Sequence, residues 1–191
     1  IIDDEVTREA SKMEIIRRYY TALCNKRKGL CNVCDDEKIE LLMKMVGISP
    51  EDRHVRTAAL QKEKETGEPA AAIELNDGRI ITGKTSKLLG ATAAMLLNAL
   101  KALGGIEDGH NLISPTVIEP VQDLKVNHLG NHNPRLHTDE VLVALSICAA
   151  TDPVAENAMQ QLEKLQGCEV HSTVILSQVD ESVLKKLGIN L

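Results

Sequence analysis

A chain of 191 residues with no phenylalanine, no tryptophan and only Tyr19 and Tyr20 as aromatics must pack its interior from leucine, isoleucine, valine, alanine and methionine. The length suits one domain, or one domain with a small satellite. With 43% hydrophobic and 26% charged residues the composition is that of an ordinary globular chain. Readers of single-stranded nucleic acid need aromatic stacking platforms, and this chain has almost none. Its 22 basic residues face 28 acidic ones, a net charge of −6 that also opposes binding to a phosphate backbone. No nucleic-acid partner is expected, and the runs Arg17-Arg18 and Lys26-Arg27-Lys28 read as a solvated helix face.

No stretch approaches the roughly 20 apolar residues of a membrane span, and no secretory signal precedes the body, so a cytoplasmic protein without a membrane partner is expected. Cys24, Cys31, Cys34, Cys148 and Cys168 are odd in number and unevenly spread, as suits free thiols in a reducing compartment. The start Ile1-Ile2-Asp3, without a methionine, is what the tail of a longer protein would show.

Helical spacing of Val6, Ala10, Met13, Ile16, Tyr20 and Leu23 after acidic Asp3-Asp4 predicts a long helix over about 4–28. A second runs from Asp35 to Val46 and stops at Gly47, and a third starts at Ser49-Pro50-Glu51-Asp52 and ends near Gly67. The stretch from Glu65 to Pro69 marks a boundary, giving a helical subdomain over 1–66 and an α/β domain over 67–191.

Beyond the boundary, Ala70 to Leu75, a turn at Asn76-Asp77-Gly78 and Arg79 to Thr82 form a hairpin. Thr85 or Ser86 is expected to cap a helix carrying Leu89, Ala93, Leu96, Leu97, Leu100 and Leu103. A short strand at 111–113, a turn opened by Ser114-Pro115 and Glu119-Pro120 that leads into a helix reaching about Leu129, helices opened by Thr138 and by Asp152-Pro153, a strand over 168–176 and a last helix over 180–187 follow. Helices flanking a small mixed sheet are the most economical arrangement.

Gly78 through Gly83-Lys84-Thr85 matches the phosphate-loop pattern. However, Ile80, Ile81 and Thr82 are β-branched and prefer extended strand, which favours the hairpin. A weaker anion-binding reading places Lys84, Thr85 and Ser86 at a helix N-terminus. The second constellation is polar: Asn127, His128, Asn131, His132, Asn133, Arg135, His137, Asp139 and Glu140 crowd one turn-rich connection. It can cap the next helix, bind an anion, move a proton or hold zinc. No metal site and no cofactor are assigned. Cys168 and His171 lie three apart on a strand and so face opposite ways, and the single Cys31–Cys34 pair is a weak redox signal.

Three strings, Asp77 to Ser86, Asn133 to Leu142 and Gly167 to Leu176, closely resemble the uncharacterised bacterial family known as domain of unknown function 1846, and the likeness runs along essentially the whole chain. The resemblance implies that this chain is the C-terminal part of a longer protein. It also implies a cytidine deaminase-like fold, a three-layer α-β-α arrangement with a small mixed sheet behind the all-helical subdomain. The deaminase zinc ligands are absent, so deaminase chemistry does not carry over.

The functional expectation is part of an enzyme that binds an anionic or phosphorylated small metabolite at a site shared with the N-terminal portion of the same protein. Lys84, Thr85 and Ser86 would donate to the anion, Arg135 would clamp it, His132 or His137 would act as acid or base, and Asp139 would orient a histidine. The alternative is a noncatalytic docking or oligomerisation module, with a homo-oligomer as one form of it.

Overall fold

The computed structural model describes residues 4–30 and 35–191; the Cys31–Cys34 pair lies outside the described residues. The chain divides into two compact units, 1–54 and 55–191.

In the first unit, α1 (Asp4–Arg27) and α2 (Asp35–Val46) pack around Ile16, Met43 and Ile48. Asp4 and Glu5 open α1 and Lys26 and Arg27 close it, the order that suits the helix dipole. Lys26 Nζ reaches Asp36 Oδ2 at 2.7 Å and ties the end of α1 to the start of α2. The helix expected from Ser49 is broken. Pro50–Asp52 form a single 3-10 turn and Arg53 is extended, so α3 begins only at His54 and runs to Thr66.

The second unit is α/β. Strands β1 (Ala70–Glu74) and β2 (Ile80–Lys84) make the expected hairpin, with β3 (Glu169–Ser172) on the other side of β1. Gly78 takes φ +83° in the turn, a conformation that glycine adopts freely. Both pairings are antiparallel, with Ala72 opposite Thr82 and His171. The sheet is therefore antiparallel rather than mixed, and parallel pairing is confined to two single bridges, Leu89 with Leu136 and Glu169 with Asn190. No strand forms at 111–113. Leu112 and Ile113 are instead buried as core side chains in a short turn that leads straight into α5 (Pro115–Asp123). β3 stops at Ser172, short of the expected 176: Thr173 N still donates to Ala70 O at 2.9 Å, but the Ala70 N–H is taken by the Thr173 hydroxyl at 3.0 Å instead of a strand carbonyl, which ends the ladder.

Alternation along β1 sends Ala71 and Ile73 to one face and Ala72 to the other. α4 (Ala91–Gly104) covers the first face with Met95, Leu96 and Leu100, all fully buried. Burial of each such side chain contributes about 1.5–3 kcal/mol. The helix lies so close to β2 that a Cβ on Gly83 would overlap the backbone of Ala94 and Met95. α3, which the sequence pattern groups with the helices before it, covers the second face through Val55 and Ala59 against Ala72. Glu63 of α3 also accepts from Thr173 Oγ1 at 2.9 Å, beside the sheet.

α6 (Thr138–Ala149), α7 (Pro153–Gln160) and α8 (Gln178–Lys186) complete the same aliphatic core with Val141, Leu145, Ala155, Ala158 and Leu184. Among the described residues, no helix is long and apolar enough to cross a membrane.

Candidate functional site

The polar connection before α6 is held in a bent, non-helical path by its neighbours. Pro134 disfavours helix at Asn133, and Asn133 Oδ1 accepts from Arg135 N at 3.1 Å. Leu136 is fully buried and pinned on both sides: its N–H donates to Leu88 O at 2.9 Å and its carbonyl accepts from Gly90 N at 3.2 Å. Arg135 sits in a bend just before this bridge and His137 directly after it. Arg135 Nε donates to Ser86 O at 2.7 Å, which steadies the guanidinium and leaves its terminal nitrogens to other partners.

His137 is the N-cap of α6, and its Nδ1 lies 3.1 Å from Asp180 Oδ2. Asp180 belongs to the first turn of α8, where the N-cap Ser177 donates from Oγ to Oδ2 at 2.7 Å and accepts from the Asp180 N–H at 3.0 Å. Its other oxygen accepts from both the amide and the hydroxyl of Thr138, each at 2.9 Å. One buried carboxylate thus serves the N-termini of two helices, where the dipoles favour negative charge. Burial pushes the Asp180 pKa up. Hydrogen bonds from the Thr138 amide, Ser177, His137 and the Thr138 hydroxyl outweigh it and hold the carboxyl below its ordinary value. An ionised carboxylate only accepts, so it assigns the proton to Nδ1 and makes Nε2 of the half-buried imidazole the acceptor nitrogen.

Behind this pair lies a second buried charge. A π-helical turn over Leu124–His128, with Leu129 N bonded to Leu124 O at 3.0 Å, turns Lys125 inward. Lys125 is 5% exposed, and its Nζ reaches both Arg135 O and Glu140 Oε2 at 2.7 Å. The same Glu140 oxygen accepts from His137 N at 2.8 Å. Lys125 and Glu140 therefore hold the backbone on both sides of Leu136.

The other sequence-predicted residues are placed differently. α4 starts at Ala91 behind Gly90, so Lys84, Thr85 and Ser86 do not open a helix. Lys84 ends β2 as an exposed residue paired with Ala70. The amides of Thr85 and Ser86 are spent on Pro69 O at 2.8 Å and Leu89 O at 2.9 Å. Ser86 Oγ accepts from Leu88 and Leu89, a local turn that imitates a helix cap in sequence. Asp139 is exposed and accepts from the Glu140 amide at 2.8 Å; the carboxylate that meets a histidine is Asp180. His132 is exposed, and His128 faces Asp123 at 3.8 Å. Among the described residues, no three His, Cys, Asp or Glu side chains converge as a metal site requires. Cys168 is buried, which pushes its thiol pKa up and makes it a core side chain rather than a nucleophile.

Sequence reasoning missed Asp180 and Lys125. The pattern Ser177-x-x-Asp180 is a helix-start signal that could have flagged the aspartate. Nothing local marks Lys125.

Fold and site together define an α/β protein with a histidine–carboxylate pair joining α6 to α8 and an arginine two residues before the histidine. Residues 51–191 match the family described as Domain of unknown function DUF1846, C-terminal, and the chain belongs to that family. Residues 1–47 match Domain of unknown function DUF1846, N-terminal, so the two matches meet near the division between the compact units. A UPF0371 protein of Corynebacterium urealyticum is 54% identical over 189 residues, covering 99% of this chain and 38% of the relative. Another, of Corynebacterium efficiens, is also 54% identical, with the same coverage. A UPF0371 protein of Streptococcus pyogenes serotype M5 is 51% identical over 191 residues, covering all of this chain and 39% of the relative. The chain thus spans less than two fifths of the length of these bacterial relatives, whose names designate a family and no reaction.

Proposed function

We propose that this chain contributes Arg135 and His137 to an enzyme site for an anionic, phosphorylated small metabolite, shared with the N-terminal portion of the longer protein. The observation that carries the reading is the His137–Asp180 pair beside Arg135. A buried carboxylate orients the imidazole, and a guanidinium already fixed through Nε lies two residues before it in the chain. In this reading Arg135 clamps the anion bidentately through its terminal nitrogens, and Nε2 of His137 gives or takes a proton at the adjoining atom. Lys84 adds positive charge, and Thr85 and Ser86 take part only through side chains, since their amides are used. A deaminase-like layering, with α3 and α4 on opposite faces of the sheet, and a cytoplasmic setting belong to the same proposal.

The test is thermal unfolding of the full-length protein against nucleotides and phosphorylated metabolites. A ligand at about 100 times its Kd adds roughly 2.7 kcal/mol. Stabilisation lost in Arg135→Ala supports the site. Stabilisation unchanged in both Arg135→Ala and His137→Gln moves the chemistry to the N-terminal portion.

A further inference from the structure

The first unit is short of interior. It spans 54 residues, yet among the described residues its buried apolar side chains are Ile16, Met43 and Ile48, with Met13, Ile15, Tyr19, Tyr20 and Ile39 packed partly around them. A domain of this size is marginal even when about 60% of its unfolded surface is buried.

The missing interior has a visible edge on α2. Met43 is 3% exposed and points to α1, whereas Leu41, Leu42, Met45 and Val46 are 60%, 42%, 76% and 47% exposed. At about 100° per residue these four cover an arc of roughly 140° that does not include Met43. Ile39, about 20° beyond Val46, joins this arc to Met43; Glu40 and Lys44, paired at 2.8 Å, lie on the opposite side, and the ion pair of Asp35 with Lys38 at 3.5 Å sits within the arc at the start of the helix. A helix whose last turns are apolar over about 200° belongs inside a packed layer, since four large side chains kept in water gain nothing from folding.

We infer that this second face of α2 is an internal interface of the intact protein, covered by the remainder of the N-terminal family domain. Two observations select that occupant over a second copy of the chain. Residues 1–47 match the N-terminal family domain and lie directly before the C-terminal match, so α1 and α2 are its closing elements. The relatives extend far beyond the region that this chain covers, 38% of their length, and so contain the rest of that domain. α2 is then a central helix of a larger core, with α1 on one side and the preceding segment on the other.

The two methionines of α2 allow a test without any substitution. In the full-length protein, peroxide oxidation followed residue by residue by mass spectrometry compares Met45 with Met43 and with Met95, which is fully buried. Thioether oxidation follows access of the oxidant, so Met45 is expected to react about tenfold or more slowly than in the guanidinium-unfolded chain, as Met43 and Met95 do, and at a rate independent of protein concentration. Oxidation of Met45 at close to the unfolded rate would overturn the inference. Protection that fades on dilution would overturn it as well, assigning the face to a second copy. The readout is independent of any ligand and stands apart from the fate of the Arg135 and His137 site.

Discussion

Asp180 Oδ2 lies 3.1 Å from His137 Nδ1, a contact between residues 43 positions apart that joins the first turn of α8 to the N-cap of α6. The same carboxylate accepts two further bonds from Thr138 and one from Ser177, so it is both a structural clasp and the group that aims the imidazole.

Removing that clasp has a defined pH signature. The folded-state pKa of Asp180 is depressed, so its contribution to stability is fully present above the unfolded-state value and is lost as pH falls through the folded one. Asp180→Ala is expected to cost about 2–3 kcal/mol near pH 7, where several bonds to a buried charge are lost together. The gap between the variant and the parent should narrow below about pH 4. Urea unfolding of the full-length protein across that range measures it, and a gap that stays constant would show that the carboxylate charge is not what stabilises α6 and α8.

The Lys125–Glu140 pair makes a separate prediction. Lys125→Met leaves the partly buried Glu140 without its cation and Arg135 O without its donor, at a cost of about 2–3 kcal/mol. Adding Glu140→Gln should restore part of the loss, because the orphaned charge is then gone. A double-mutant cycle that shows simple additivity would mean the two groups do not act as a pair.

How far the sequence reveals this architecture depends on how local each signal is. The Asp77-Gly78 turn, the Pro153 start of α7 and the spacing within α1 and α2 are local, and those elements form where the pattern places them. The start of α4 is shifted because Ser86 offers the same capping oxygen to a short turn at Leu88 and Leu89 as it would to a helix. The aliphatic interior follows directly from the absence of large aromatics. In the polar connection, Arg135 and His137 stand out from density alone, but Asp180 reaches His137 only through the docking of α8 on α6. The inward turn of Lys125 depends on one extra residue in a helical turn, which leaves no periodic trace.

The two glycines of the phosphate-loop-like string should respond very differently to alanine. Gly83→Ala forces a Cβ into the backbone of α4, where nothing flexible can yield, and is expected to cost more than about 3 kcal/mol and to abolish soluble expression of the full-length protein. Gly78→Ala meets no neighbouring atom and only strains a left-handed turn, for about 1–2 kcal/mol. Equal tolerance of both would contradict the packing of α4 on β2. A phosphate loop would show the opposite pattern, with both glycines sensitive in nucleotide binding rather than in folding.

The proposed division of labour between Arg135 and His137 separates binding from chemistry. Loss of a charge-assisted, bidentate contact weakens an anion by about 1.5–3 kcal/mol, so Arg135→Ala should raise the Kd of any stabilising phosphorylated ligand by about 10- to 100-fold. His137→Gln keeps size and polarity but cannot exchange a proton near neutral pH, so it should leave that Kd within about threefold while lowering turnover by about 100-fold or more. Asp180→Asn should fall between the two, since the imidazole stays but its aspartate no longer dictates which nitrogen carries the proton. Isothermal titration and turnover on the full-length protein measure both quantities. A His137→Gln variant with unchanged turnover would take the histidine out of the reaction and leave Arg135 as a binding residue alone.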